Sequence, residues 1–183
     1  SGLPAVRDLA PLRGSGFTHI NLLGTGVRDL APLAELPIRT LFLTGGANWD
    51  PAGLRALPLR ELIISGSGPF DLAHAPLAEL RFLRLEGLGT SDLTPLRAAR
   101  SLRQIIFSRC PVADLDPLRG LALDSITLQH TSVHSLEPLR GMKLLYVDLC
   151  GTPAADLSPL AGNPHLKELK TDTETCDAAG LEA

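Results

Sequence analysis

Seven aspartates recur along the chain at nearly constant intervals: Asp8, Asp29, Asp50, Asp71, Asp92, Asp114 and Asp156. Two carboxylates can act as general acid and base, but only where they meet at one isolated place. A column that follows a repeat instead has the spacing of residues that each cap their own turn. Nor does it match the nine-residue Gly-Asp repeat that binds calcium. Cys110, His130, His134 and Cys150 form a second set, with HTSVH at 130–134 giving an H-x₃-H pair. That spacing suits a metal on a helix or tight turn. Here the segment spans a Gly/Thr turn, so no metal is expected. Cys110 and Cys150 fall about two repeats apart, roughly 10 Å at ordinary strand spacing, which is too far for a disulfide. No nucleophile stands beside a base, and no Gly-x₄-Gly-Lys-Ser/Thr phosphate loop occurs. The chain is expected to be non-catalytic and to use no cofactor.

Composition narrows the class further. Of 183 residues, 38 are leucine, whereas the aromatic residues make up only 4%. Hydrophobic residues at 44% and charged residues at 20% exclude a disordered chain. No apolar run approaches the roughly 20 residues of a membrane helix, and no signal peptide opens the sequence. A net charge of −3 provides no bulk attraction to nucleic acid. Three cysteines cannot close a disulfide framework, which points to a reducing, cytoplasmic setting.

The element that must position these residues is a repeat. The phrase Asp-Leu-x-Pro-Leu occurs at 8–12, 29–33, 92–96, 114–118 and 156–160. Its proline recurs at Pro11, Pro32, Pro95, Pro117, Pro138 and Pro159, with Gly53 and His74 keeping the count. A second phrase, L-x-x-L-x-L, precedes it in every unit after the first. Its first position runs Phe17, Ile38, Leu59, Leu80, Leu102, Leu123, Leu144, Leu166, and nearly all of its positions are large and apolar. The end of this phrase alternates with period 2 and predicts a short strand. A small, Gly-rich turn follows, and Asp and Pro then turn the chain back through one 3₁₀-like turn. No unit can bury its leucines alone, so units stack around one core.

On these two phrases and their spacing the chain resembles the leucine-rich repeat family, in its short bacterial, internalin-like form. The resemblance implies an α/β fold: a right-handed solenoid arc with a parallel sheet on its concave face and 3₁₀ turns on its convex face. The family's usual Asn, three residues after the last strand leucine, bonds backbone across coils. Here Thr25, Gly46, Ser67, Leu88, Cys110, Thr131 and Thr152 stand in its place, and Thr, Ser and Cys can form only part of such a ladder. Residues 1–170 are expected to form about eight coils, the first incomplete, and 171–183 a partial C-terminal cap or tail. The chain is expected to begin within a repeat, fused to further domains upstream of Ser1.

The outward strand positions form three rows. They place Phe42, Ile63, Phe82 and Ile106 over coils two to five, with Leu23 and Arg84 beside them and Tyr146 further along. Apolar residues aimed at solvent suggest a surface for a protein partner, although exposed strands also favour Phe and Ile in their own right. A basic rim of Arg39, Arg60, Arg81 and Arg103, with Lys167 later, precedes the strands. It reads as solvated charge, or as a surface for an anionic partner. Trp49 and Phe70 occupy equivalent places in the two irregular repeats, where stacking on the flank is expected and a lateral binding site is the alternative. Phe17 and Phe107 alone among the aromatic residues take core positions.

The expected function is protein recognition by a rigid arc, with neither nucleic acid nor membrane as partner. Fourteen Arg against three Lys, with abundant Ala, Gly and Pro, suggests a GC-rich bacterial gene. Resemblance then points to the sensor region of a bacterial NOD-like receptor. An internalin-like adhesin and an enzyme-binding regulatory subunit are the alternatives.

Overall fold

The structure is a computed structural model that describes residues 6–46, 49–172 and 175–177. The apolar half of each repeat forms a strand: β1 (His19–Asn21), β2 (Thr40–Gly45), β3 (Glu61–Gly66), β4 (Phe82–Glu86), β5 (Gln104–Ser108), β6 (Ser125–Thr127), β7 (Tyr146–Asp148) and β8 (Glu168–Lys170). These eight pair in chain order and in parallel within one open sheet. Register advances by one repeat per strand, so that Leu41 faces Leu62 and Leu62 faces Leu83. Side chains alternate across the pleat, and the repeated leucines therefore all point to one face. There they form a continuous core running from Leu9 to Leu169, with Phe107 fully buried in it.

The return half of each coil is short because 21 residues leave room for little else. Most coils make a single 3₁₀ turn with proline in its first residues, as in Ala10–Leu12, Thr94–Ala98 and Ser158–Leu160. The coil carrying Gly53 instead of proline makes a five-residue α-helix, α1 (Pro51–Arg55). The aspartates do cap these turns, in two geometries. Asp50 and Asp71 occupy the cap position itself. Asp8, Asp29, Asp92, Asp114 and Asp156 stand one residue earlier and form Asx turns, each accepting the N–H two residues on at 2.8–2.9 Å. Where the column lacks Asp, Ser135 accepts from the Glu137 amide at 3.3 Å.

Coils are not tied together by the expected side-chain ladder. The hydroxyls of Thr25, Thr131 and Thr152 bond back to Leu22, Leu128 and Leu149 within their own coils. Cys110 reaches the preceding coil through the Leu85 carbonyl at 3.6 Å, and Leu88 joins the core. Gly46 serves by being bare: at φ +75 its Cβ would run into the Ser67 carbonyl of the next coil. The regular tie between coils is backbone, and side-chain bonds such as Thr90 Oγ1 to the Phe70 carbonyl at 2.8 Å occur at single coils only. One carbonyl ahead of each strand accepts two amides of the next coil, as Arg39 O does from Arg60 and Glu61 at 2.8 and 2.9 Å.

Phe17 corrects the sequence reading. It holds a core position in the repeat but is 52% exposed, because β1 is the terminal strand and no described strand covers its far side. Phe70 is the opposite case, being 7% exposed and part of the core. At the other end β9 (Thr175–Asp177) pairs antiparallel with β8. Residues 1–5, and most of the segment 171–183 expected as a cap, lie outside the described residues. No helix among the described residues is long and apolar enough to cross a membrane.

Candidate binding face

The outer face of the sheet carries the three rows in the expected register. Phe42, Ile63, Arg84 and Ile106 are successive cross-strand partners, and Phe82 lies in the adjacent row between Glu61 and Gln104. At about 4.8 Å per strand these residues form one patch over β2–β5. Phe42, Phe82, Arg84 and Ile106 are half-buried. Ile63, expected to face solvent, is only 8% exposed, yet it lies outside the continuous core. Its row neighbours Phe42 and Arg84 flank it, so it forms the floor of the patch. Leu23, 43% exposed, stands apart near the terminal strand. Tyr146 also lies away from the patch, on β7.

An ion cluster borders the patch that sequence reasoning missed. Arg84 Nη2 donates to Glu86 Oε2 at 2.8 Å, and Arg109 Nη2 donates to the other carboxylate oxygen. Arg84 Nε is buried without a partner. Arg109 adopts φ +54, in the turn where Gly24, Gly87 and Gly151 take similar left-handed angles in other coils. A non-glycine residue there signals a constraint, and a charged residue inside an otherwise Gly-rich turn was the available signal.

The C-terminal half of the face is polar. Asp148 is 2% exposed. It accepts from Gln129 Nε2 at 2.8 Å, Tyr146 Oη at 3.2 Å and the Cys150 amide at 3.1 Å. Burial pushes its pKa up, but these hydrogen bonds outweigh that and hold the carboxyl below its ordinary value. Lys170 lies 5.4 Å from the Tyr146 ring centroid. The Cys150 thiol is pushed up by burial and then by the neighbouring Asp148.

The basic rim follows the edge of the sheet, and its members differ. Arg39 Nη1 donates to the Pro58 carbonyl at 2.9 Å, and Arg103 Nη1 donates to the Leu102 carbonyl at 2.9 Å. Arg60 and Arg81 are exposed. On the flank, Trp49 and Phe70 meet at 5.8 Å with planes tilted by 55°, in contact but not stacked. Trp49 Nε1 donates to the Thr44 carbonyl at 3.2 Å, and both rings line an open cavity of about 260 Å³. Cys110 is buried in the core, while His130 and His134 are exposed. The described residues contain no gathering of three or more metal-ligating side chains.

Eight parallel strands, short 3₁₀ returns and one shared leucine core define a leucine-rich-repeat solenoid. Among solved structures, the chain is similar to internalin C2 of Listeria monocytogenes, with a TM-score of 0.65 at 23% identity, covering 87% of this chain and 78% of that one. It is also similar to internalin F of the same organism, with a TM-score of 0.66 at 21% identity, covering 91% of this chain and 51% of that one. No protein-family model and no curated protein matches the sequence. At this identity the likeness is one of fold.

Proposed function

We propose that the chain is a non-catalytic recognition module whose concave face binds a protein partner over Phe42, Ile63, Phe82 and Ile106. One observation carries this reading: a buried Ile63 outside the core, with half-open Phe42, Phe82 and Ile106 around it. Such a patch is preformed on a hydrogen-bonded sheet, so little ordering cost attends binding. Full burial of such a side chain is worth about 1.5–3 kcal/mol, and the half-buried Phe42, Phe82 and Ile106 leave part of that unused by folding. Selection of displayed random peptides on the wild-type protein, followed by affinity measurements on Phe42→Ala/Phe82→Ala, tests it. Selected peptides are expected to bind the double variant at least about tenfold more weakly, a loss of 1.4 kcal/mol or more, with the melting temperature nearly unchanged. A large fall in melting temperature would place those rings in the core and sink the reading.

Within that function we favour the sensor region of a larger, cytoplasmic bacterial signalling protein of the NOD-like receptor kind. Likeness to two internalins supports the alternative, an internalin-like surface adhesin. The flanking gene sequence separates the two: a nucleotide-hydrolysing switch upstream marks the sensor, and a signal peptide with an anchor marks the adhesin.

A further inference from the structure

We infer that the partner of this face is an acidic protein segment, with carboxylates flanking the apolar side chains that it lays on the patch. The inference rests on the concave-face reading above. The chain is acidic overall, yet around the patch guanidinium groups outnumber carboxylates. Arg60 and Arg81 stand on adjacent coils, directly before β3 and β4, with Arg81 N bonded to Arg60 O at 2.8 Å. Both side chains are exposed, and neither hydrogen-bonds or ion-pairs with another described residue. Arg39 and Arg103 in the same row are tied to backbone carbonyls, and Arg39 lies 3.8 Å from Glu79.

Like charges held in register across strands are unfavourable, so folding gives no reason for an unpaired Arg60–Arg81 couple. Glu61, next to Arg60, accepts from the Thr40 hydroxyl at 3.0 Å, and Glu79, two residues before Arg81, pairs with Arg39 at 3.8 Å. At the border of the patch Arg84 and Arg109 share the single carboxylate of Glu86, again leaving positive charge in excess. Further along the sheet no such excess remains, since Asp148, Glu168 and Asp172 share the face with Lys170, which pairs with Glu168 at 3.3 Å. The complementary segment therefore places its apolar residues on Phe42, Ile63, Phe82 and Ile106 and its carboxylates on Arg60, Arg81 and the Arg84–Arg109 cluster.

The test selects random dodecapeptides displayed on phage against the purified chain and keeps those lost on Phe42→Ala/Phe82→Ala. These peptides are expected to be enriched in Asp and Glu next to Leu, Ile or Phe. As synthetic peptides they should bind about tenfold more weakly to Arg60→Glu/Arg81→Glu, and more weakly as salt rises. The control Arg97→Glu, exposed within the 3₁₀ turn Thr94–Ala98, should bind as wild type does. If the Glu double variant fails to fold, Arg60→Gln/Arg81→Gln replaces it with a smaller loss expected. Peptides that need Phe42 and Phe82 but are neutral or basic, and are indifferent to Arg60 and Arg81, overturn the inference and leave the concave-face reading intact. Failure to obtain any peptide dependent on Phe42 or Phe82 removes that reading and the inference with it. A single-stranded DNA oligonucleotide that competes for Phe42, Phe82, Arg60 and Arg81 overturns the acidic-segment partner in favour of nucleic acid.

Discussion

A carboxylate that is 2% exposed is stable only if its oxygens are filled, and Asp148 meets that condition with three donors from two coils. Because its folded pKa lies below the ordinary carboxylate value, it stabilises the fold above the unfolded pKa. That contribution disappears as pH falls through the folded pKa. Asp148→Asn is therefore expected to be less stable by about 1–3 kcal/mol near neutrality, with the difference closing as pH falls below about 3.9. Denaturant midpoints across that range measure it. His130 offers a second residue-scale case. It takes φ +52, and its ring lies against Gly151, itself at φ +71. Gly151→Ala should cost at least about 1 kcal/mol from the left-handed backbone alone, with the ring collision added. His130→Gly removes the collision, so the double variant should be more stable than the two single losses predict. Neither site could be read from the sequence. The repeat puts Asp148 on the outer face of its strand and His130 in its turn, but burial and contact depend on Gln129 and Gly151, which arrive from neighbouring coils.

At the scale of the element, the repeat carried nearly all the information. The alternation in L-x-x-L-x-L assigned Leu83 and Leu85 inward and Phe82 and Arg84 outward, and the register agrees. Leu85 is fully buried, so Leu85→Ala should cost about 2–5 kcal/mol. An unchanged unfolding midpoint would contradict the packing. The turn capped by Asp92 predicts a smaller effect. The Asp92 carboxyl is held below its ordinary pKa by hydrogen bonds from the Thr94 side chain and backbone, and Asp92→Ala should lower the unfolding midpoint by less than Leu85→Ala does, read from the same curves. Reading failed where the phrase degenerates. Asp50 followed by Pro51 is a helix-start signal, but alignment on the repeat put Gly53 in the proline's place and concealed α1. Phe70 was assigned to the flank because its coil lacks the regular phrase. In the fold it fills core volume and meets Trp49 across the coil boundary.

The whole molecule behaves as a one-dimensional stack, in which each coil is held by its neighbours and an end coil by one. The arc was legible because a period near 21 residues admits little besides this fold. The basic rim was legible too, in the spacing of Arg39, Arg60, Arg81 and Arg103, but the Arg84–Glu86–Arg109 cluster was not, since Arg109 arrives from the next coil. The same one-dimensional logic separates two residues of identical type that both hold inward positions of the phrase. Phe17 and Phe107 both occupy inward positions, but Phe17 is 52% exposed on the coil of the terminal strand and Phe107 is fully buried between β4 and β6. Phe107→Ala should therefore cost about 3–5 kcal/mol. Phe17→Ala should shift the melting temperature by less than about 3 °C, the equivalent of roughly 1 kcal/mol at this chain length. Amide exchange should follow the same order. β1 pairs on one side only and its neighbours Val6, Phe17 and Leu23 remain exposed, so the Ile20 amide should exchange through local opening well before Ile105. Equal protection at the two amides would mean that the stack unfolds as a single cooperative unit, and coil position would then no longer account for the difference between the two phenylalanines.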